Sequence, residues 1–505
     1  MSTVALAAAL VPAVAAAARC PGHALRATTI THTLAAGHAV SISNRFVAGT
    51  LRIPAEVHAP VTLHRVTFCG PFVASSTSFD KLVDLRGSRF RAGADFTDAT
   101  FNGPAVFTGI RTWSGSALRV DFATFRGLAF FGGSIIRGPA TFADTEFDGP
   151  TRFRGGRFGR TAQFDSASFG DTADFSAMRF AQNVDFGAAE FRSVASFSGT
   201  YFDQRSTFVA TRFSDFADFS ATTFGGQSGK PVSFRAAGFD AGANFLESEF
   251  DGTTSFVLIQ SGGDLIFDGT DFETTLLFTQ ARVVGDMTFS RASFRGFVNF
   301  DEADVHKLDL DGAVFIGDAA TVLLPQPNAS TAHLDELRFD PGDVRHIGIG
   351  QGKIPDTQRE TALALVEAAA LRGGDARAAN QAQYLRRTLI RDNRPVVARI
   401  FDWLVMWQIG GYLVRPWHQV AAIIALLIAA TTIRVFDPRL HGQARAPVKG
   451  SFGTSFAAFW RLRIHDGTGW DQFEATAYKL VVVVLVLNVA NVWPTGHDLL
   501  KGVLP

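Results

Sequence analysis

The chain has 505 residues, room for several domains, and carries 47 basic and 47 acidic side chains. That balance excludes a chain that is basic or acidic throughout, and two cysteines without Cys-x-x-Cys spacing exclude a cysteine metal site. Charge is uneven along the chain: residues 79–315 hold 22 Lys/Arg against 30 Asp/Glu, residues 240–311 hold 4 against 14, and residues 353–505 reverse to 18 against 11.

Residues 1–18 are almost all Ala, Val and Leu, and Ala16-Ala17-Ala18 offers a small-residue cleavage site before Arg19. This reads as a secretory signal, although its start has no Lys or Arg. Residues 19–78 read as a cap and a first, irregular coil. A short helix fits within residues 23–37, and alternating apolar residues (Val40, Ile42; Leu51, Ile53; Val61, Leu63) predict strands. In an exported chain Cys20 and Cys69 are a disulfide candidate. His32, His38, His58 and His64 are too scattered for a zinc site and read as solvated.

From 142 to 224 a phenylalanine returns after five residues, then six, without a break. The first twelve are Phe142, Phe147, Phe153, Phe158, Phe164, Phe169, Phe175, Phe180, Phe186, Phe191, Phe197 and Phe202. On a helix these steps scatter the rings over all faces, and in one long strand the five-residue step reverses the face. A chain that turns a corner between rings points every ring inward, which is a β-solenoid. The residue two before each ring is small (Ala140, Thr145, Thr151, Gly156, Ala162), leaving room for the stack, and stretches such as Asp148-Gly149-Pro150 suit corners. The register extends from Phe79 to Val305, with a two-residue slip near Trp113, a four-residue insertion within 225–231, and Ser261 and Val283 standing where Phe is expected. With two eleven-residue units per coil this part makes about ten coils, a rod on the order of 50 Å.

Units such as Ala173-Asp174-Phe175-Ser176-Ala177 resemble the repeats of pentapeptide-repeat proteins, and the alternating spacing resembles their Phe-rich variant. The resemblance implies a mainly β fold over 79–315, a right-handed, four-sided parallel β-helix with inward Phe.

Beyond Phe315 the repeat fails. Residues 316–353 read as a linker, with a loop at 323–332 around Pro325 and Pro327. Residues 354–394 read as an α-helical hairpin: Gly373-Gly374 stops one helix and Asp375 caps the next. Leu363, Val366 and Ala370 share one face of the first helix, and Ala378, Ala382, Leu385 and Leu389 one face of the second. After an interfacial segment at 395–417, two apolar segments, 418–436 and 475–493, each approach the roughly 20 residues of a transmembrane helix. They are joined by a loop at 437–474 and followed by a tail at 494–505. Trp403, Trp407, Tyr412, Trp417 and Trp493 fall at one interface of such a hairpin. Asn488 and Asn491 share a face of the second span, and His418 and Gln419 are the polar side chains level with them in the first. The 374–384 and 411–416 stretches resemble the same parts of bacterial pentapeptide-repeat membrane proteins. Arg439, Arg445, Lys449, Arg461 and Arg463 place the loop in the cytoplasm and therefore the β-helix outside, while Arg391, Arg394, Arg399 and Arg415 count the other way.

No nucleophile elbow, phosphate loop, His-Glu-x-x-His or EF-hand pattern occurs. No catalytic residue, metal or cofactor is expected. The sequence points to a multi-pass cell-membrane protein whose extracytoplasmic β-helix is a scaffold or protein-binding surface. It does not name the protein partner, leaves homo-oligomerisation open, and gives no reason to expect nucleic acid. A two-helix channel is the alternative, although the 466–471 stretch lacks the order of a potassium filter. A second alternative is an acidic DNA mimic that binds a topoisomerase, which the resemblance and the acidic last coils suggest and export opposes.

Overall fold

The two Phe-to-Phe steps turn the chain by different means. In the five-residue step from Phe142 to Phe147, Asp144 takes a left-handed φ of 52° and the Thr145 N–H returns to the Phe142 carbonyl at 3.3 Å. In the six-residue step from Phe147 to Phe153 the corner is Asp148-Gly149-Pro150. A Cβ on Gly149 would lie 2.7 Å from the Gly127 carbonyl oxygen of the preceding coil, so only glycine fits. The left-handed corner recurs every eleven residues, as at Ser166, Ala177, Ala188, Gly199, Ala210 and Ala221. The period therefore counts corners as well as rings.

These corners build a parallel β-solenoid of about 13 turns, mainly from two-residue strands, four to a coil in the regular part. The computed structural model describes residues 20–226, 229–317, 319–325, 334–338, 346–349, 356–372, 376–392, 424–425 and 427–428. The chain divides into two compact units, Met1–His306 and Lys307–Pro505.

In the first unit each coil pairs with the next 22 residues on, as Gln163 with Asp185 and Phe169 with Phe191. The two irregularities sit where the Phe register breaks. Ala94 pairs with Leu118, two residues beyond the period, and Ser206 with Val232, four beyond it. Every ring from Phe142 to Phe202 is buried. Rings one coil apart lie nearly parallel, Phe164 over Phe186 at 4.8 Å and Phe186 over Phe208 at 5.0 Å, except Phe158 and Phe180, which meet edge to face. Rings eleven residues apart meet edge to face, as Phe175 and Phe186 at 5.3 Å. Burying one such side chain contributes about 1.5–3 kcal/mol, and the ring geometry roughly another 0.5–1.5. At several inner positions a hydroxyl donates to a carbonyl of the coil before, Thr145 to Val120, Thr200 to Phe175 and Thr211 to Phe186, while Thr151 donates to Gly149 of its own coil.

The N-terminal part holds more coils than the one expected for residues 19–78. Val40 pairs with Val61 and Leu51 with Phe72 at a period of 21, and Leu25 with Val47 at 22. The core there is aliphatic (Val40, Leu51, Val61, Leu63), which hid the repeat. Helix α1, Ala27–Ala35, buries Ala27, Ile30 and Leu34 and packs on the first coil, covering apolar side chains and backbone groups that an open end would leave to water.

In the second unit part of the expected loop at 323–332 is strand. Thr321–Leu324 pairs in parallel with Ile347–Ile349, and Val322, Leu323, Leu324 and Ile347 are buried. The prolines limit the strand without preventing it, because it ends before Pro325. Helices α2, Asp356–Arg372, and α3, Ala376–Asp392, pack together; Arg386 Nη1 donates to Glu367 Oε2 at 2.5 Å. Leu363 and Val366 are buried in α2 as read from the sequence. In α3 the buried residues are Ala379, Ala382 and Tyr384, while Ala378, Leu385 and Leu389 are half-buried. Among the described residues no helix is long and apolar enough to cross a membrane. Apart from 424–425 and 427–428 in the first, the two apolar segments, with His418, Gln419, Asn488 and Asn491, lie outside the described residues.

Candidate functional site

The stacked rings fill the interior, so a ligand meets only outward side chains. Each strand of the regular part turns one residue in and one out, and the outward residues line up one per coil. Phe142 to Phe202, singled out by the sequence, are structural and none reaches the surface. Cys20 and Cys69 are joined by a disulfide with Cα atoms 5.8 Å apart, tying the segment before helix α1 to the end of the strand Thr67–Phe68.

Two histidines in the early coils are not simply solvated. His58 Nδ1 lies 2.6 Å from Asp80 Oδ2, and its Nε2 lies 3.5 Å from Glu56. The Asp80 hydrogen bond and charge raise the His58 pKa, and the same bond lowers that of Asp80. His64 Nε2 lies 2.8 Å from the buried Asp84, whose other contact is Arg86 at 2.6 Å. Burial pushes the Asp84 carboxyl up, but the bonds to Arg86 and His64 outweigh it and hold it below the usual range. His32 and His38 are exposed. Among the described residues no group of His, Cys, Asp or Glu is gathered as metal ligands.

Three outward features have the chemistry of recognition. An open groove of about 510 Å³ is lined by Thr108, Phe130, Gly132, Arg152, Arg154 and Asp174, with the Arg152 guanidinium 5.2 Å over the Phe130 ring. On another face Asp165 is half-buried; burial raises its pKa, and the charges of Asp185, Asp144 and Asp121 add to the rise. On a third face an outward row passes from arginines at Arg89 and Arg111 to carboxylates at Glu249 and Asp271. At its acidic end burial raises the Glu249 pKa, and Asp251, Asp271 and Glu273 raise it further.

The sequence did not single out the His58–Asp80 pair, the Phe130 groove or Thr112. Thr112 occupies an inward ring position between Phe90 and Ile136 and is buried; its Oγ1 accepts from the Arg137 and Gly138 N–H groups at 2.9 and 3.3 Å. Comparison with family models, curated proteins and solved structures finds no match.

Proposed function

We propose that this chain is a Phe-rich pentapeptide-repeat protein, a right-handed, four-sided β-helix held at the cell membrane by the segments 418–436 and 475–493. The β-helix stands on the outer side and acts as a scaffold or protein-binding surface, without catalysis. The observation that carries this reading is the filled interior: inward positions are taken by stacked Phe and small residues, while charge and exposed aromatics lie in ordered rows outside. Long solenoid faces of this kind suit extended or repetitive partners.

Topology is the test. A protease-cleavable tag inserted on the N-terminal side of Trp403 is cut in intact spheroplasts by added protease under this reading. Cleavage only after the membrane is opened places the β-helix in the cytoplasm and overturns it.

A further inference from the structure

One outward row of the first unit is its own electrostatic complement. Parallel pairing fixes its order, one residue per coil. Before Arg179 come Arg89, Arg111, Ile135 and Arg157. After it come Tyr201, Thr223, Glu249 and Asp271. Counting outward from Arg179, the first step sets Arg157 against Tyr201 and the second Ile135 against Thr223. The third sets Arg111 against Glu249, and the fourth Arg89 against Asp271.

We propose that two copies of this chain pair antiparallel through this face, about a two-fold axis at Arg179. A two-fold axis repeats each contact. Arg111 and Arg89 of each copy then meet Glu249 and Asp271 of the other, and each Arg157 lies against a Tyr201 ring. Arg179, on the axis, brings its own counter-ion, Asp203, at 2.8 Å.

Both halves of the row carry charge that this partner complements, although Ser293 already donates to Asp271. Arg89, Arg111 and Arg157 are exposed, stacked on successive or alternate coils, and none has an ion-pair partner among the described residues. The acidic half has like charges around Glu249; Arg295 reaches only Glu273, at 2.7 Å. Tyr201 and Trp113 leave 50% and 40% of their surface to solvent on this side of the rod, and large aromatics are what interface centres are enriched in. A parallel pairing would set arginine on arginine and is repelled. A polyanion would satisfy the arginine half and meet repulsion at Glu249 and Asp271, whereas a second copy satisfies both halves.

Charge reversal tests this in the full chain, purified in a non-ionic detergent and measured by sedimentation velocity at low salt. The wild type is expected to be a dimer that weakens with salt. Arg111→Glu and Glu249→Arg each place two like-charge contacts in the interface and weaken it by at least about tenfold. An equimolar mixture of the two variants restores a dimer, because Glu at 111 then faces Arg at 249 and the native Glu249 faces the native Arg111. The double variant also restores it. Restoration cannot come from misfolded chains. A monomeric wild type overturns the proposal, and if that monomer binds heparin through Arg111 the face belongs to a polyanion. Single variants as dimeric as the wild type, or a mixture that stays monomeric, also overturn it.

Discussion

Phe186 lies parallel to Phe164 one coil below, centroids 4.8 Å apart and planes 6° apart. The same contact repeats upward with Phe208, and edge-on rings of Phe175 and Phe197 close the sides. Removing this ring opens a cavity walled by these rings. Phe186→Ala is expected to cost about 3–5 kcal/mol, and substitution of the exposed Gln182 almost nothing. Equal denaturation midpoints for the two variants would contradict the stack.

The buried hydroxyls are a second source of stability. Thr200 Oγ1 donates to the Phe175 carbonyl at 2.7 Å in a fully buried position. Thr200→Val keeps the shape and loses the donor, and is expected to cost roughly 1–3 kcal/mol. Thr172→Val, at an exposed corner, serves as the control and should be near neutral.

The His58–Asp80 pair makes the early coils pH-sensitive. The raised His58 pKa contributes stability that is fully present below its ordinary 6.5 and lost as pH rises through its higher folded value. The lowered Asp80 pKa contributes stability present above its ordinary 3.8 and lost as pH falls through its lower folded value. The pair is complete between those limits. An NMR titration should find the His58 midpoint above 6.5, and Asp80→Asn should bring it down. An unchanged midpoint in that variant would rule out the pair.

The disulfide should matter most at the N-terminal end. Cys20 and Cys69 are separated by 49 residues, and opening a loop of that size costs ~3–5 kcal/mol in the chain-entropy account. Reduction should speed hydrogen exchange in Ala27–Ala35 well before it does so around Phe186. Two alkylated thiols in protein isolated without reductant would show that the bond is absent.

Much of this architecture is legible in the sequence because Phe marks the inward position. The slip near Trp113 and the insertion within 225–231 could be placed from the ring spacing alone, and the strand register agrees. Val40 to Leu63 hid their coils because Val and Leu also suit ordinary strands. Thr321–Leu324 hid its strand because its partner, Ile347–Ile349, lies far along the chain. The surface pairs were missed for a related reason. Ser76 with Asp98, His58 with Asp80 and Gln280 with Glu302 are each 22 residues apart, one coil, and local motif reading does not look that far. Reading the sequence against itself at that offset would have found them.

The most direct test of the coil itself uses engineered cysteine pairs, with the native disulfide left intact and no other thiol among the described residues. Gln260 and Arg282 are exposed register partners on adjacent coils, whereas Asp271, midway between them in sequence, lies on another sheet. Gln260→Cys with Arg282→Cys should crosslink rapidly with a short bis-maleimide, and Gln260→Cys with Asp271→Cys should not. Crosslinking of the second pair and not the first would contradict the solenoid.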